Sequence, residues 1–412
     1  LVLAQLASGV GRFMVLAAMP FAIFSIGGST AQIGIALACE AGVYVLFLLV
    51  GGIAGDRLPR RSLLIGADLL RFVSQGSVAV LLILGDAAFW QLVLAQAASG
   101  LGAAFFAPTM TGFVREVAPR EQLQQANGLR KMSDAAAAVA GPALAAALVA
   151  GVGPGWAFGA DALSFLFSAA LLVGVRRRAD VAATETMSEG GFSMLASIRE
   201  GWAEFKSRTW LWAVVLEFAV LNALVVAPFF VLGPSMAGGA VGGASGWAIV
   251  LCALAAGEAT GGIIGLGWTP ARPLVAALLA VTLWATPLLA LAALAPMPLV
   301  AAAAVLGGTG LALFGVLWET TLQGHVPAKR LSRVMSYDEL GSSGVLPVGY
   351  MVGGVAVGFF GPSAALLGGV AVLLLATAVV LAVPSVRTLR PAASQSENTS
   401  GPVFNPFVRP VG

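Results

Sequence analysis

Apolar residues along this chain come in long blocks broken by short polar turns, and the blocks set everything else. Twelve runs stand out, near 1–24, 33–53, 62–84, 89–108, 132–151, 156–175, 211–232, 246–266, 273–292, 297–317, 335–358 and 364–384. Each has about the 20 apolar residues that a helix needs to cross a bilayer. In lipid a backbone must satisfy its own hydrogen bonds, so runs of this length predict helices. The predicted class is an all-α membrane protein with twelve transmembrane helices in two six-helix bundles. The chain opens inside the first run, and a short preceding piece is expected.

Composition agrees with the pattern. Of 412 residues, 59% are hydrophobic and 10% charged, where a soluble domain carries about a quarter charged. The net charge of +3 is no nucleic-acid signal, because the basic residues follow the turns. Arg57, Arg60 and Arg61 follow the second run; Arg115, Arg120, Arg130 and Lys131 the fourth; Arg176 to Arg178 the sixth. Arg272 follows the eighth, Lys329, Arg330 and Arg333 the tenth, and Arg387 and Arg390 the twelfth. The alternate turns carry no basic residue, and Asp86 is their only acid. Basic turns stay cytoplasmic, so both termini are expected on the cytoplasmic side of the membrane. Cys39 and Cys252 fall inside runs and imply no disulfide framework.

The chain divides into a first bundle, 1–175, a cytoplasmic linker, 176–209, a second bundle, 210–385, and a disordered cytoplasmic tail, 386–412. Within the linker Met194, Leu195, Ile198, Trp202 and Phe205 recur at helical spacing, which predicts an amphipathic surface helix. The halves echo each other at an offset of 208: Phe106 falls on Phe314, Pro119 on Pro327, Leu123 on Leu331 and Gly141 on Gly349. Parallel six-helix repeats are a transporter architecture. Trp90, Trp156, Trp210 and Trp268 sit at run ends and read as interfacial anchors.

The ionisable residues singled out in or at the ends of the runs are Arg12, Glu40, Asp68, Arg71, Asp134, Asp161, Glu217, Glu258 and Glu319. Such groups face a cavity or a partner rather than lipid. Asp68 and Arg71, three apart, read as a structural pair. Asp134 and Asp161 lie near run beginnings. Arg12 and Glu40, on consecutive helices at compatible depth, are substrate-cavity candidates, with Asn222 beside them. Glu217 and Glu258, with Asp134, are the proton-coupling candidates, since a carboxyl in a dry span can load and release a proton. His325, the only histidine, has no partners at metal spacing, and no metal or cofactor is expected. No G-K-[ST] phosphate loop and no catalytic triad is present, so neither direct ATP drive nor an enzyme is expected.

The turn Gly52-Ile-Ala-Gly-Asp-Arg-Leu-Pro-Arg-Arg61 reads G-x-x-x-D-R-x-x-R-R. Gly52 lets helices approach, and Asp56 suits a helix N-terminus. Placed between the second and third of twelve runs, this turn resembles the signature of the major facilitator superfamily, and the resemblance covers essentially the whole chain. It is most similar to the secretion-effector, drug–proton antiporter branch, which includes siderophore and macrolide exporters. The supporting stretches are Pro119 to Leu123 with Ala126-Asn127, Gly141-Pro142-Ala143-Leu144, Phe158 to Phe165, and Gln323 to Arg333. The resemblance implies that Asp56, with Arg57, Arg60 and Arg61, latches the halves on the cytoplasmic side, and that Gly141 and Pro142 belong to an exporter motif. Ala145 and Ala146 stand where exporters often have glycines, and the fourth run has Leu92, Leu94 and Gln96 in place of an arginine.

The function expected is export of a small, largely apolar organic compound (a drug, siderophore or secondary metabolite) by proton antiport with alternating access. Its partners would be that substrate, protons and membrane lipids, without nucleic acid, and the chain reads as a monomer. Two rivals remain: a lipid or lysolipid flippase of the same fold, with Arg12 as headgroup clamp, and a non-transporting membrane sensor.

Overall fold

The computed structural model describes residues 1–117, 123–175, 202–237 and 243–391. Among the described residues are twelve helices long and apolar enough to cross a membrane. Spans 1 to 6 are Val2–Ser25, Thr30–Gly55, Arg60–Leu84, Phe89–Val114, Met132–Gly151 and Pro154–Gly174. Spans 7 to 12 are Thr209–Met236, Gly243–Gly267, Pro273–Ala292, Met297–His325, Val334–Phe360 and Pro362–Ala382. Large apolar side chains such as Leu46, Val73, Leu163, Ile263, Phe359 and Leu375 point outward, as a lipid-facing surface requires.

Each turn after an odd-numbered span has, among the described residues, one residue with positive φ within it or at its edge. Five are glycines, Gly27, Gly85, Gly153, Gly243 and Gly361, and the sixth is Leu294. Glycine takes that conformation without steric cost. At the start of span 2 the Gln32 side chain accepts from the Ser29 amide at 2.8 Å, satisfying one of the orphan donors of a helix start. The turns after even-numbered spans carry the basic residues, and their side of the molecule is called the basic end below.

Helix packing repeats from one half to the other. Span 1 packs on 5 and 6, 2 on 4, and 3 on 4 and 6; span 7 packs on 11 and 12, 8 on 10, and 9 on 10 and 12. The equivalence reaches single residues. A Cβ on Gly100 of span 4 would overlap the Glu40 carbonyl of span 2, and one on Gly308 of span 10 would overlap the Leu254 carbonyl of span 8. Gly141 meets Val10 and Phe13 of span 1, and Gly349 meets Ala223 and Ala227 of span 7. Small residues bring helix backbones together where lipid supplies no hydrophobic drive between helices.

The halves meet through span 2 against span 11 and span 5 against span 8. At the end opposite the basic one, a Cβ on Gly34 would overlap the Tyr350 carbonyl, and one on Gly354 would stand 3.1 Å from Ala31 Cα. Span 11 then breaks: the helix Ala328–Ser343 ends before Leu346–Phe360 begins. Span 7 is interrupted as well, by a π-helical stretch, Asn222–Val226.

Of the expected linker, residues 176–201 lie outside the described residues. Residues 202–206 are helical and dock on the second half. Trp202 stacks on Phe205 at 5.7 Å and meets Tyr337 at 5.5 Å. Glu204 accepts from Arg208 at 2.7 Å and from Arg330 at 2.5 Å. The hydrogen bonds from Arg208 and then Arg330 hold the Glu204 carboxyl below its ordinary range. The expected tail overlaps a short helix, Pro384–Thr388, with Val386 buried; residues 392–412 lie outside the described residues. Trp90 and Trp156 are exposed as anchors should be, whereas Trp210 is buried. It packs on Trp318 and His325, so Trp210 is core rather than interfacial.

Candidate functional site

A cavity of about 480 Å³ lies in the first half, lined by spans 1 to 5, with Tyr350 of span 11 as its contact to the second half among the described residues. Its wall runs from Leu37 and Tyr350, near mid-depth, out to Gln5, Thr111 and Arg130 at the basic end. Beyond Tyr350 the Gly34 and Gly354 contacts close the other end.

Span 1 places Arg12 about 15 Å from its start at 1.5 Å per residue, facing the cavity. Among the described residues Arg12 has no hydrogen bond or ion pair. Its described contact is with the Phe13 ring, 4.8 Å from the guanidinium carbon. Glu40 lines the same cavity, but its two oxygens are held by Gln96 at 2.9 Å and Ser99 at 3.3 Å. Gln75 in turn donates to Gln96 at 3.1 Å. Arg12 and Glu40 therefore share a cavity without forming the ion pair that their depths suggest.

Arg71 forms the back wall. It lies 4.0 Å from Asp68 and over the Phe106 and Phe165 rings at 5.2 and 5.1 Å. Asp68 accepts from Ser168 at 2.7 Å. Asp68, Arg12, Asp161 and Glu40 are the charged groups around Arg71. The Asp68–Arg71 pair is thus part of a larger charged network. Asp161 belongs to it too: it is buried rather than interfacial, at 1% exposure, against Gly11 of span 1. At the mouth, Gln5 donates to Asp134 at 3.2 Å and accepts from Arg130 at 2.8 Å.

The remaining candidates stand apart. Glu217 is buried between spans 7 and 12, where Thr377 donates to it at 2.8 Å; its other oxygen has no hydrogen-bond partner among the described residues. Glu258 is on an exposed face of span 8. Asn222 opens the π-helical stretch and donates to the Ser342 carbonyl at 2.8 Å, bracing the break in span 7 against the break in span 11. None of these three lines the 480 Å³ cavity.

In the turn after span 2, the side chain of Asp56 lies outside the described residues. Arg57 is exposed. Arg60 bonds Glu116 at 2.8 Å and the Gly55 carbonyl at 3.1 Å. Arg61 donates to the Leu172 carbonyl at 3.0 Å and to the Val173 carbonyl. These contacts tie the turn to spans 4 and 6 of its own half. The close approach expected at Gly52 falls on its neighbours: a Cβ at 52 meets nothing within 4 Å, whereas Gly51 and Gly55 abut Ala104 and Thr109 of span 4. Gly141 and Pro142 sit within span 5, with Gly141 against span 1.

The second half offers a smaller cavity, about 90 Å³, lined by Val214, Phe218, Phe314, Trp318, Asp338 and Ser342. Phe218 stacks on Phe314 at 4.0 Å, and the Trp318 indole donates to Asp338 at 2.9 Å. Sequence reasoning passed over Asp338, Tyr44, Tyr350 and Gln75. The signal for Asp338 was present, since it lies inside the eleventh apolar run.

Residues 1–279 match the Major Facilitator Superfamily, and the chain belongs to that family. A relative from Bacillus subtilis (strain 168), the uncharacterized MFS-type transporter YfiS, is 26% identical over 238 residues, 58% of this chain and 54% of that protein. The match thus spans about half the length of that relative. Solved structures show the same fold at low identity. A bacterial homologue of the human lysosomal transporter Spinster, inward-facing and occupied, has a TM-score of 0.70 at 16% identity, covering 94% of this chain and 96% of that one. A D-xylose–proton symporter gives 0.72 at 13% identity, covering 94% and 98%. The nucleoside transporter NupG gives 0.70 at 13% identity, covering 92% and 97%.

Proposed function

We propose that this chain is a secondary active transporter of the bacterial inner membrane. It works by alternating access and exports a small, largely apolar organic compound by proton antiport. The basic end faces the cytoplasm, the protein acts as a monomer, and it belongs with the secretion-effector exporters of siderophores and macrolides. The observation that carries this reading is the cavity of the first half, lined out to the basic end, touched by Tyr350 of the second half and sealed opposite by span 2 against span 11. A site that is closed to one side while its wall extends to the other is what alternating access requires.

Within this reading Arg12 and Glu40 meet the substrate, and Asn222 couples the breaks in spans 7 and 11. Asp134, at the cavity mouth, and Glu217 and Glu258, in the second half, are the carboxyls from which the proton carrier comes. Asp56 and its arginines form the cytoplasmic latch. The open guanidinium of Arg12 also favours a second reading, a flippase that grips a lipid headgroup.

The test is an imposed pH gradient in inverted membrane vesicles, challenged with drugs, siderophores and lysolipids. Wild type is expected to dissipate the gradient with one compound class, and Asp134→Asn, Glu217→Gln or Glu258→Gln to abolish the response. Silence across the panel, with folded protein in the membrane, overturns proton antiport.

A further inference from the structure

The cavity contains five charged side chains, and four of them are already matched within the protein. Glu40 is held by Gln96 and Ser99. Arg71 has Asp68 and two rings. Asp134 and Arg130 meet through Gln5. Arg12 is the exception, exposed to the cavity and without a hydrogen bond or ion pair among the described residues. A guanidinium presents five donors and cannot shed its charge in a protein. Held at mid-depth in a membrane, such a group faces water or an anion.

Its neighbours fit the same ligand. Tyr44 lies within electrostatic reach of Glu339 of span 11 and of both Arg12 and Arg71, so the two cations outnumber the acid there, and it lines the cavity with Tyr350; neither hydroxyl bonds a described residue. Leu16, Leu37, Ala103, Phe106 and Met110 supply an apolar wall around this polar spot. Glu40 is already held by amide and hydroxyl donors, one on each oxygen, whereas Arg12 has no such hold among the described residues.

We infer that Arg12 is an anion clamp, and that the compound carried is an amphiphilic organic anion: a carboxylate or phosphate on an apolar body. The head accepts from Arg12, with Tyr44 and Tyr350 as neutral donors, and the body lies against the apolar wall. This rests on the transporter reading of the same cavity and names its substrate class. An anionic lysolipid and a free organic acid share the chemistry.

Binding is measured by calorimetry on the full chain in nanodiscs, with a matched set of 4-phenylbutyrate, 4-phenylbutanamide and 4-phenylbutylamine. Lysophosphatidylglycerol and lysophosphatidylcholine form the lipid pair. Wild type is expected to bind the acid, or the glycerol lysolipid over the choline one, about tenfold more tightly than its uncharged or zwitterionic counterpart. A factor of about ten is within the reach of one charge-assisted contact. Arg12→Gln removes that preference and Arg12→Lys retains part of it. Preference for the acid alone assigns a soluble anion; preference for lysophosphatidylglycerol alone assigns a lipid.

Equal binding of anion and neutral analogue in both pairs overturns the clamp, as does a preference unchanged in Arg12→Gln. If Arg12→Gln does not fold, the wild-type series and Arg12→Lys decide. Arg12-dependent anion binding without pH-gradient dissipation leaves the clamp standing and removes proton antiport. Dissipation by a neutral compound with no anion preference does the reverse.

Discussion

The two halves share one helix arrangement and have opposite interiors. Spans 1 to 6 enclose a polar network of Arg12, Glu40, Asp68, Arg71 and Asp161, supported by Gln75, Gln96, Ser99 and Ser168. Spans 7 to 12 fill the same space with rings: Phe218 on Phe314, Trp318 against Trp210, and Phe229 between Trp247 and Trp284. Among the described residues the acids that interrupt them, Glu217 and Asp338, stand apart from each other. The helix frame is therefore set by the backbone contacts at Gly100 and Gly308 and by those at Gly141 and Gly349, which recur in both halves. Side chains lining the frame are free to differ: both arginines inside the apolar runs, Arg12 and Arg71, lie in the first half, and the runs of the second half have acids alone.

The frame is the part to break first. Gly100→Val and Gly308→Val each drive a side chain into a carbonyl of the neighbouring helix. Backbone cannot yield as a flexible side chain does, and overpacking alone costs about 1–3 kcal/mol. Both variants are expected to lose the monodisperse peak in gel filtration, whereas Gly52→Ala, facing open space, keeps it. If only one half failed, the shared-frame account would be sunk.

The interiors separate next. Arg71→Met strands Asp68 and Asp161 without their cation, and breaking a buried pair costs about 3–5 kcal/mol. Glu217→Gln keeps an acceptor for Thr377 and has no charged partner to strand, so a change under about 1 kcal/mol is expected. Thermal melting in detergent measures both, and equal losses would contradict the contrast.

The smallest effect lies outside the membrane, where Glu204 joins the linker helix to Arg208 and Arg330. Its carboxyl is held below the ordinary value near 4.5. The ion pair therefore stabilises fully above that value and is lost as pH falls through the lowered one. Arg330 is half exposed, and solvent screening limits the contribution to about 1 kcal/mol or less. Glu204→Gln is expected to melt below wild type at pH 7 and to converge with it in acid, once the pH has fallen through the lowered value. A gap that persists in acid would assign the contact to packing instead.

Much of the frame is legible in the chain. The twelve runs anticipate the twelve spans to within about four residues, except that spans 4 and 10 continue to Val114 and His325 at the basic end. A bilayer leaves the backbone no choice but to bond within its own helix. The repeat was visible in Phe106 and Phe314, which prove to stand beside Arg71 in one half and against Phe218 in the other. The site was less legible. Depth along a helix identified Arg12 and Glu40 for the cavity, yet equal depth in Glu217 and Asn222 led elsewhere.

The sequence by itself determined what is local to one helix: the number of spans, their depth scale and the basic turns. Tertiary structure decided which way each helix is turned. One residue's step is about 100° around the axis, at 3.6 residues per turn, enough to move a close contact from Gly52 to Gly51 or to send Glu217 to Thr377 instead of the cavity. That rotation is fixed by neighbouring helices, whose ridges and glycines come from distant parts of the chain. It is also why Arg12 faces the cavity without a partner among the described residues while Glu40, at matching depth, is already held.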